Sequence, residues 1–334
     1  MTGSTTTIPT PTLHKRPIHS AILLVATGFV TVASAVGLLF PAWWVSDLLT
    51  QPRPHYLLAL LALTPFLLRQ YRKWGALVLA PMLLNLAMLL PEIQPQAKPP
   101  RLAEKLFTVA HVNVDRESDG HEHTFAYLRS LSIDLISLQE VTPEFADSLA
   151  DRLPEYDPVI VHPLTNSHGS ALLIRRSAPI SEMTASIIHL PANSPRPLIE
   201  ASFICHGHRL SFLNFHATRP YGAEQFAFQS LEFEATSCWS LEKQKADVAV
   251  VILGDFNATP WSPRLQALRQ RGDLEKAAPK FGYIPTWPAT LPWSFGLPID
   301  LCLTSKDIYA CEARGGPRIE SDHRPIVLSF AYAG

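Results

Sequence analysis

Four cysteines in 334 residues, none at a zinc-ligand spacing, exclude a zinc module and a disulfide-dense scaffold. They fall at Cys205, Cys238, Cys302 and Cys311 and read as buried thiols, although Cys302 and Cys311 are spaced to pair across a hairpin turning at Thr304 to Asp307. No internal repeat is present, which excludes solenoids and propellers. No Lys/Arg run with interleaved aromatics is present either, which removes the usual groove for single-stranded nucleic acid. Charge is sparse and unevenly placed: Met1–Pro100 holds seven Lys/Arg against two Asp/Glu, whereas Arg101–Gly334 holds 21 against 27. A domain of net negative charge has no global field for polyanions, so any phosphate group it handles must be met by a local patch.

What is present divides the chain into parts. Residues 1–18 are expected to form a disordered basic tail, Thr- and Pro-rich at first and carrying Lys15 and Arg16 near its end. A charge-free run follows as far as Asp47, and about 20 apolar residues are enough to cross a bilayer. It is too long for a signal-peptide core, and Trp43 and Trp44 mark its interface. Tyr56–Leu68 and Gly75–Pro91 are two further apolar runs around a basic knot at Arg69, Arg72 and Lys73. The expectation is a transmembrane region of about three helices over 19–91, then a Pro-rich spacer over 92–101 leading to an independent domain over 102–334. With the basic clusters kept on the cytoplasmic side, three spans or one place that domain outside.

From Leu102 onward short apolar strands alternate with polar helices. Leu106–Val114, Asp134–Val141, Ser170–Arg176, Leu198–Cys205, Arg209–Phe215, Asp300–Thr304 and Pro325–Tyr332 read as strands. His121–Leu131, Pro143–Arg152, Ala223–Lys243 and Ser262–Arg271 read as helices. Mixed hairpins and crossovers of this kind predict an α/β domain of two sheets packed face to face with helices outside.

Val248–Pro260 (VAVVILGDFNATP) organises the rest. Its β-branched run predicts a buried strand, Gly254 a sharp exit, and Asp255 and Asn257 a pair of polar groups at the strand's carboxyl end, where α/β folds gather ligand-binding side chains. Asn113, Glu140, His216, Asp300, Asp322 and His323 also fall at strand ends. Singly, each is explained as a cap; jointly they supply carboxylates for a hard cation, amides and imidazoles for phosphate oxygens, and a carboxylate–imidazole pair for proton transfer. Arg175, Arg176, Arg219 and Arg324 are phosphate contacts or solvated charges, and the loop Tyr283–Leu297, with its two tryptophans, is expected to overhang the cleft.

The fragments HVNV, LQEV, LNFHATRP, GDFNATP, PIDLCL and SDHRPI, in this order, resemble the endonuclease/exonuclease/phosphatase superfamily over Arg101–Gly334. The resemblance implies a four-layer α/β sandwich and a Mg²⁺ or Mn²⁺ requirement. It implies Glu140 as main metal ligand with Asn113 and Asp322, Asp255 holding the attacking water or a second metal, and Asn257 on a phosphate oxygen. It further implies His323 oriented by Asp300, and His216 as a second imidazole. Leu301 departs from relatives that carry His or Tyr after the orienting aspartate. The expected activity is that of a membrane-anchored phosphodiesterase whose partners are the bilayer and a nucleic acid, nucleotide or phospholipid ester, with no protein partner evident. The alternative is a catalytically retired membrane-bound binding or assembly protein.

Overall fold

The computed structural model describes residues 18–96, 102–278 and 282–333; residues 1–17 of the basic tail, with Lys15 and Arg16, and residues 97–101 of the Pro-rich segment lie outside them. The catalytic part is built from two mixed six-stranded sheets. One runs in the order β11-β12-β1-β2-β4-β3, formed by β1 (Leu102–Asn113), β2 (Leu135–Gln139), β3 (Tyr156–His162), β4 (Ser170–Arg175), β11 (Ile308–Gly315) and β12 (Ile326–Ala333). The other runs β5-β6-β7-β8-β10-β9, from β5 (Ile180–Ile188), β6 (Leu198–Cys205), β7 (His208–Asn214), β8 (Ala249–Asp255), β9 (Glu275–Lys276) and β10 (Asp300–Thr304). Strands β2, β8 and β10 are buried along their whole length, as continuous apolar runs require when both faces are covered.

A core of Phe107, Val109, Phe203, Phe212, Val251, Leu253 and Phe330 fills the space between the sheets. On the outside, α5 (Glu122–Ser130) and α6 (Pro143–Arg152) cover the first sheet through Phe125, Leu128 and Phe145. Helices α7 (Ala223–Lys245) and α8 (Pro263–Arg271) cover the second through Phe233, Trp239 and Leu268. The result is the expected helix–sheet–sheet–helix sandwich. Strand β11 went unread in the sequence because it is an edge strand, bonded only to β12, whose burial alternates after its first three residues. The Cys302–Cys311 pairing is a correction: Cys302 carries a free thiol. The two positions lie in different sheets, since the chain crosses over after Thr304 instead of turning back on itself.

Before the sandwich come α1 (Ile18–Leu39), α2 (Trp44–Thr50), α3 (Arg53–Gln70) and α4 (Arg72–Ile93). Among the described residues one helix, over Ala21–Leu39, is long and apolar enough to cross a membrane, and Val78–Ile93 is a shorter apolar helix. Arg53, fully buried, donates to the Ser34 carbonyl (3.3 Å) and Asn85 (3.2 Å), and Asn85 donates to Ser34 Oγ (2.7 Å). This network ties α1, α3 and α4 together.

The segment entering the domain differs from a free spacer. Glu92 pairs with Arg269 (2.7 Å), and Gln96 bonds Glu275 and the Ile308 carbonyl. Farther up the chain Asp47 accepts from Arg264 (2.6 Å) and Ser262 (3.0 Å), Thr259 N–H donates to Gln51 Oε1 (2.8 Å), and Trp261 Nε1 donates to the Thr50 carbonyl (2.8 Å). The helical region is therefore docked on the loop that follows β8. The Asp47–Arg264 pair is buried, with side-chain exposures of 1% and 10%. Breaking such a pair strands a charge at a cost of about 3–5 kcal/mol. Asp47→Ala should lower the Tm of the full chain by about 5 °C in a fluorescence melt. A Tm within a degree or so of wild type would show that the docking contributes nothing.

Candidate active site

The polar groups meet at one mouth of the sandwich because the topology puts the right strand ends there. Strands β1 and β2 run parallel, as do β7 and β8. Their carboxyl ends carry Asn113, Glu140, His216 and Asp255 to the same rim. Strands β10 and β12 run antiparallel to these neighbours, so their amino ends deliver Asp300 and His323 there. Asp300 stands directly opposite Asp255 in the β10–β8 register. All eight residues singled out in the sequence lie at this rim.

Backbone geometry holds several of them. Glu140 and Asn257 take positive φ, 61° and 48°, a conformation that asparagine tolerates and glutamate rarely adopts. Gly254 takes φ 154°, and a side chain there would run into the Phe215 carbonyl and the Gln139 amide, so glycine is required. Asp255 Oδ1 accepts from Asn257 N–H (2.8 Å), and the Asn257 amide donates to the Ala217 carbonyl (2.9 Å). Ser321 Oγ donates to the Asn113 carbonyl (2.7 Å), pinning the loop before β12 to the end of β1.

His323 Nδ1 lies 2.7 Å from Asp300 Oδ2, and the other Asp300 oxygen is 3.2 Å from His111 Nε2. Burial alone would raise the Asp300 carboxyl, but the charge of His323 and the hydrogen bonds from His111 and His323 hold it well below the usual carboxylate range. Burial likewise opposes charge on His323, yet Asp300, with Asp255 and Asp322 behind it, pushes it up to about 10. At neutral pH the pair is an imidazolium against a carboxylate. His323 Nε2 then faces Asp255 Oδ2 at 3.8 Å, and His216 Nε2 faces the same oxygen at 3.7 Å.

Neither Asp255 Oδ2 nor His216 Nε2 has a hydrogen-bond partner, although both are buried. Burial pushes Asp255 up to about 7 against the pull of His323. Burial, followed by the Arg196 and Arg219 guanidiniums, holds His216 well below its ordinary value, so it stays neutral. One buried carboxylate oxygen is thus flanked by two imidazole nitrogens, each just beyond hydrogen-bond distance, a grouping of titratable side chains suited to proton transfer.

Asp255, Asp300 and His323 form a group of potential ion ligands within 4.8 Å of one another. Both Asp300 oxygens and His323 Nδ1 are already engaged, so this trio fits proton transfer better than ion binding. Glu140 and Asp322 add carboxylates at the same rim and Asn113 an amide oxygen, the donor types that a hard cation takes. The Glu140 carboxylate accepts from Arg219 (2.9 Å) and Asn113 (3.2 Å), and Asp322 accepts from Trp287 Nε1 (3.0 Å). Glu140, Asp255 and Asp322 all raise the Arg219 pKa against its own desolvation. Three carboxylates around one guanidinium, with oxygen as the donor atom, suit a hard divalent ion.

Arg219 is thus a site residue and not a free surface charge. Arg175 and Arg176 pair with Glu155 and Asp157 away from the mouth, while Arg324 bonds the Ala289 and Leu291 carbonyls and steadies the overhanging loop. Sequence reasoning missed His111 and Gln139. His111 sits two residues before Asn113, hence on the same strand face, and that spacing was the available signal. Gln139 directly precedes Glu140, and nothing local marked it.

The family model described as Endonuclease/Exonuclease/phosphatase family matches residues 109–323. The chain belongs to this family. Its members typically hydrolyse phosphoester bonds and generally use divalent metals. Solved structures of similar fold include D. rerio TDP2 complexed with single-strand DNA product, at 18% identity and TM-score 0.55, covering 68% of this chain and 99% of that one. Bacteroides thetaiotaomicron mannosyl-6-phosphatase Bt3783 aligns at 17% identity and TM-score 0.53 over 67% and 99%. The human Nocturnin catalytic domain, with bound sulfate anion, aligns at 17% and 0.52 over 70% and 100%. No curated protein matches the chain significantly in sequence.

The electrostatics of this family site can be read directly. In ¹⁵N-histidine NMR of the full chain, one imidazole should stay protonated through neutrality and titrate at about 10. Asp300→Asn should bring that titration down toward the ordinary range, since the carboxylate that holds the proton is gone. An unshifted titration in the variant would remove Asp300 as its cause.

Proposed function

We propose that the protein is a membrane-anchored, divalent-metal-dependent phosphoesterase acting on phosphodiesters. The observation that carries this reading is the unpartnered Asp255 Oδ2 between His216 Nε2 and His323 Nε2. A phosphate placed there would have imidazole donors on its non-bridging oxygens, the second N–H of the Asn257 amide beside them, and a carboxylate to take a proton from the attacking water. A buried carboxylate titrating at about 7 is matched to that task, because it is basic enough to accept a proton and ionised enough to be available. His323, protonated and held by Asp300, steadies the charge that grows on phosphate. His216, kept neutral, donates a hydrogen bond and is a poor proton source, which narrows the role expected for it.

Glu140, Asn113 and Asp322 would hold Mg²⁺ or Mn²⁺, which when bound supplies Lewis-acid stabilisation of the phosphate charge. Arg219 must release Glu140 for this, and its half-exposed side chain has room to swing out. A retired scaffold would have lost members of this set, whereas every position holds a competent group.

The rate should follow a bell in pH: kcat/KM rises through about 7 as Asp255 loses its proton and falls through about 10 as His323 loses its own. Asp255→Asn and Glu140→Ala should each lower the rate on an aryl phosphodiester by about a hundredfold or more without unfolding the chain. Near wild-type turnover in either variant would sink the assignment. We further place the domain on the non-cytoplasmic side of an anchor formed by α1, by the charge rule. Alkaline phosphatase fused after Gly334 should then be active; activity only of a cytoplasm-dependent fluorescent fusion would reverse the topology.

A further inference from the structure

The N-terminal helices do more than hold the domain near a bilayer. A cleft of about 350 Å³ is lined by His323, Asn257, Asp322 and Arg219 of the candidate site. Leu48 and Pro52, from α2 and the turn before α3, line it too, with Leu297 and Ile299, so the N-terminal region supplies part of its wall. Tyr221, 72% exposed, forms its lip. A catalytic domain with no N-terminal region would leave this wall open.

The same helices turn apolar side chains outward. Val25, Phe29 and Val32 on α1, Phe66 on α3 and Leu83 on α4 are all at least 60% exposed. Phe295 of the overhanging loop is 56% exposed and stacks on His55 at the start of α3, with ring centroids 6.2 Å apart. Exposed Trp293 and Leu291 flank it. An apolar surface of this extent is covered by lipid or by protein, and the interfacial aromatics and the helix long enough to span favour lipid. The cleft then opens beside the bilayer surface, polar and phosphate-binding at its floor, apolar along its wall.

We propose that α2 and the turn after it form part of the substrate site, and that the substrate is an amphiphilic phosphate ester drawn from the membrane, its phosphate at His323 and Asn257 and its chain along Leu48 and Pro52. This rests on the phosphoesterase reading above and specifies its substrate. It also gives a reason for the buried bonds from Asp47, Thr50 and Gln51 to the loop after β8: they fix the wall relative to Asn257.

The test uses the full chain in phosphatidylcholine nanodiscs, with an aryl phosphodiester as reporter and alkyl phosphates from butyl to decyl as competitors. Inhibition should strengthen up to about fourfold per added methylene. Leu48→Asp, and separately Tyr221→Ser at an exposed position where folding is not at stake, should flatten that dependence. Vesicles of phosphatidylcholine and phosphatidylglycerol should be turned over in preference to a single-stranded oligonucleotide. Inhibition independent of chain length, a dependence equally steep in both variants, or preference for the oligonucleotide would each overturn the proposal. Absence of any reporter turnover would instead reject the phosphoesterase reading itself.

Discussion

The site depends first on Gln139, a fully buried amide that joins the two sheets beneath the rim. Its Nε2 donates to Asn214 Oδ1 and to the Phe215 carbonyl, both at 2.8 Å, while its Oε1 accepts from the Asp255 N–H at 3.2 Å. Asn214 returns a bond to the Leu138 carbonyl (2.9 Å). One side chain on β2 thereby satisfies backbone groups at the ends of β7 and β8 in the opposite sheet. In a dry interior a polar group left unpaired is costly, so this network fixes the separation of the sheets where the chemistry sits. It also explains Gly254: the amide occupies the volume that a side chain would need.

From that tie the electrostatics follow. With the sheets held together, Asp300 lies opposite Asp255 and two carboxylates share one buried space. They do not behave alike. Asp300 is given two imidazoles as partners and stays ionised, while Asp255 Oδ2 is given none and is pushed toward protonation. Unequal environments for neighbouring carboxylates are how a site obtains an orienting group and a proton acceptor from the same residue type. His323 is then a fixed cation, and Arg219 is a replaceable one on the far side of Asp255.

Much of this was legible in the sequence, and what was not has a physical reason. Strand ends could be read because apolar runs such as VAVVILGD stop at a polar residue, and six such ends share one chemistry. The sandwich was legible for the same reason, since fully buried strands leave continuous apolar runs. His111 and Gln139 were hidden because they lie inside strands, where a polar residue is ordinarily a solvent-facing one. Only the packing of a second sheet shows that their partners are across the core. Arg219 was one of four arginines that the sequence could not rank, because charge placement depends on where a loop folds back. Edge strand β11 was hidden because its burial alternates over its last five residues, which leaves no continuous apolar run.

The N-terminal region shows how far composition alone can mislead about mechanical independence. Three apolar runs followed by a proline-rich stretch read as anchor, spacer and domain, a chain of separable parts. What joins them is a few polar residues inside apolar or neutral context: Asp47, Thr50, Gln51 and Glu92, each matched by a group on the catalytic domain. Isolated polar residues at a helix end carry no periodic signal, and their partners lie some two hundred positions away in the chain. Their placement is nonetheless specific, since three of the four converge on the segment from Thr259 to Arg264. That segment begins two residues after Asn257. Any tilt of the helices against the sandwich would therefore be felt first by the loop that positions Asn257, so the N-terminal helices and the rim of the candidate site are joined through one segment.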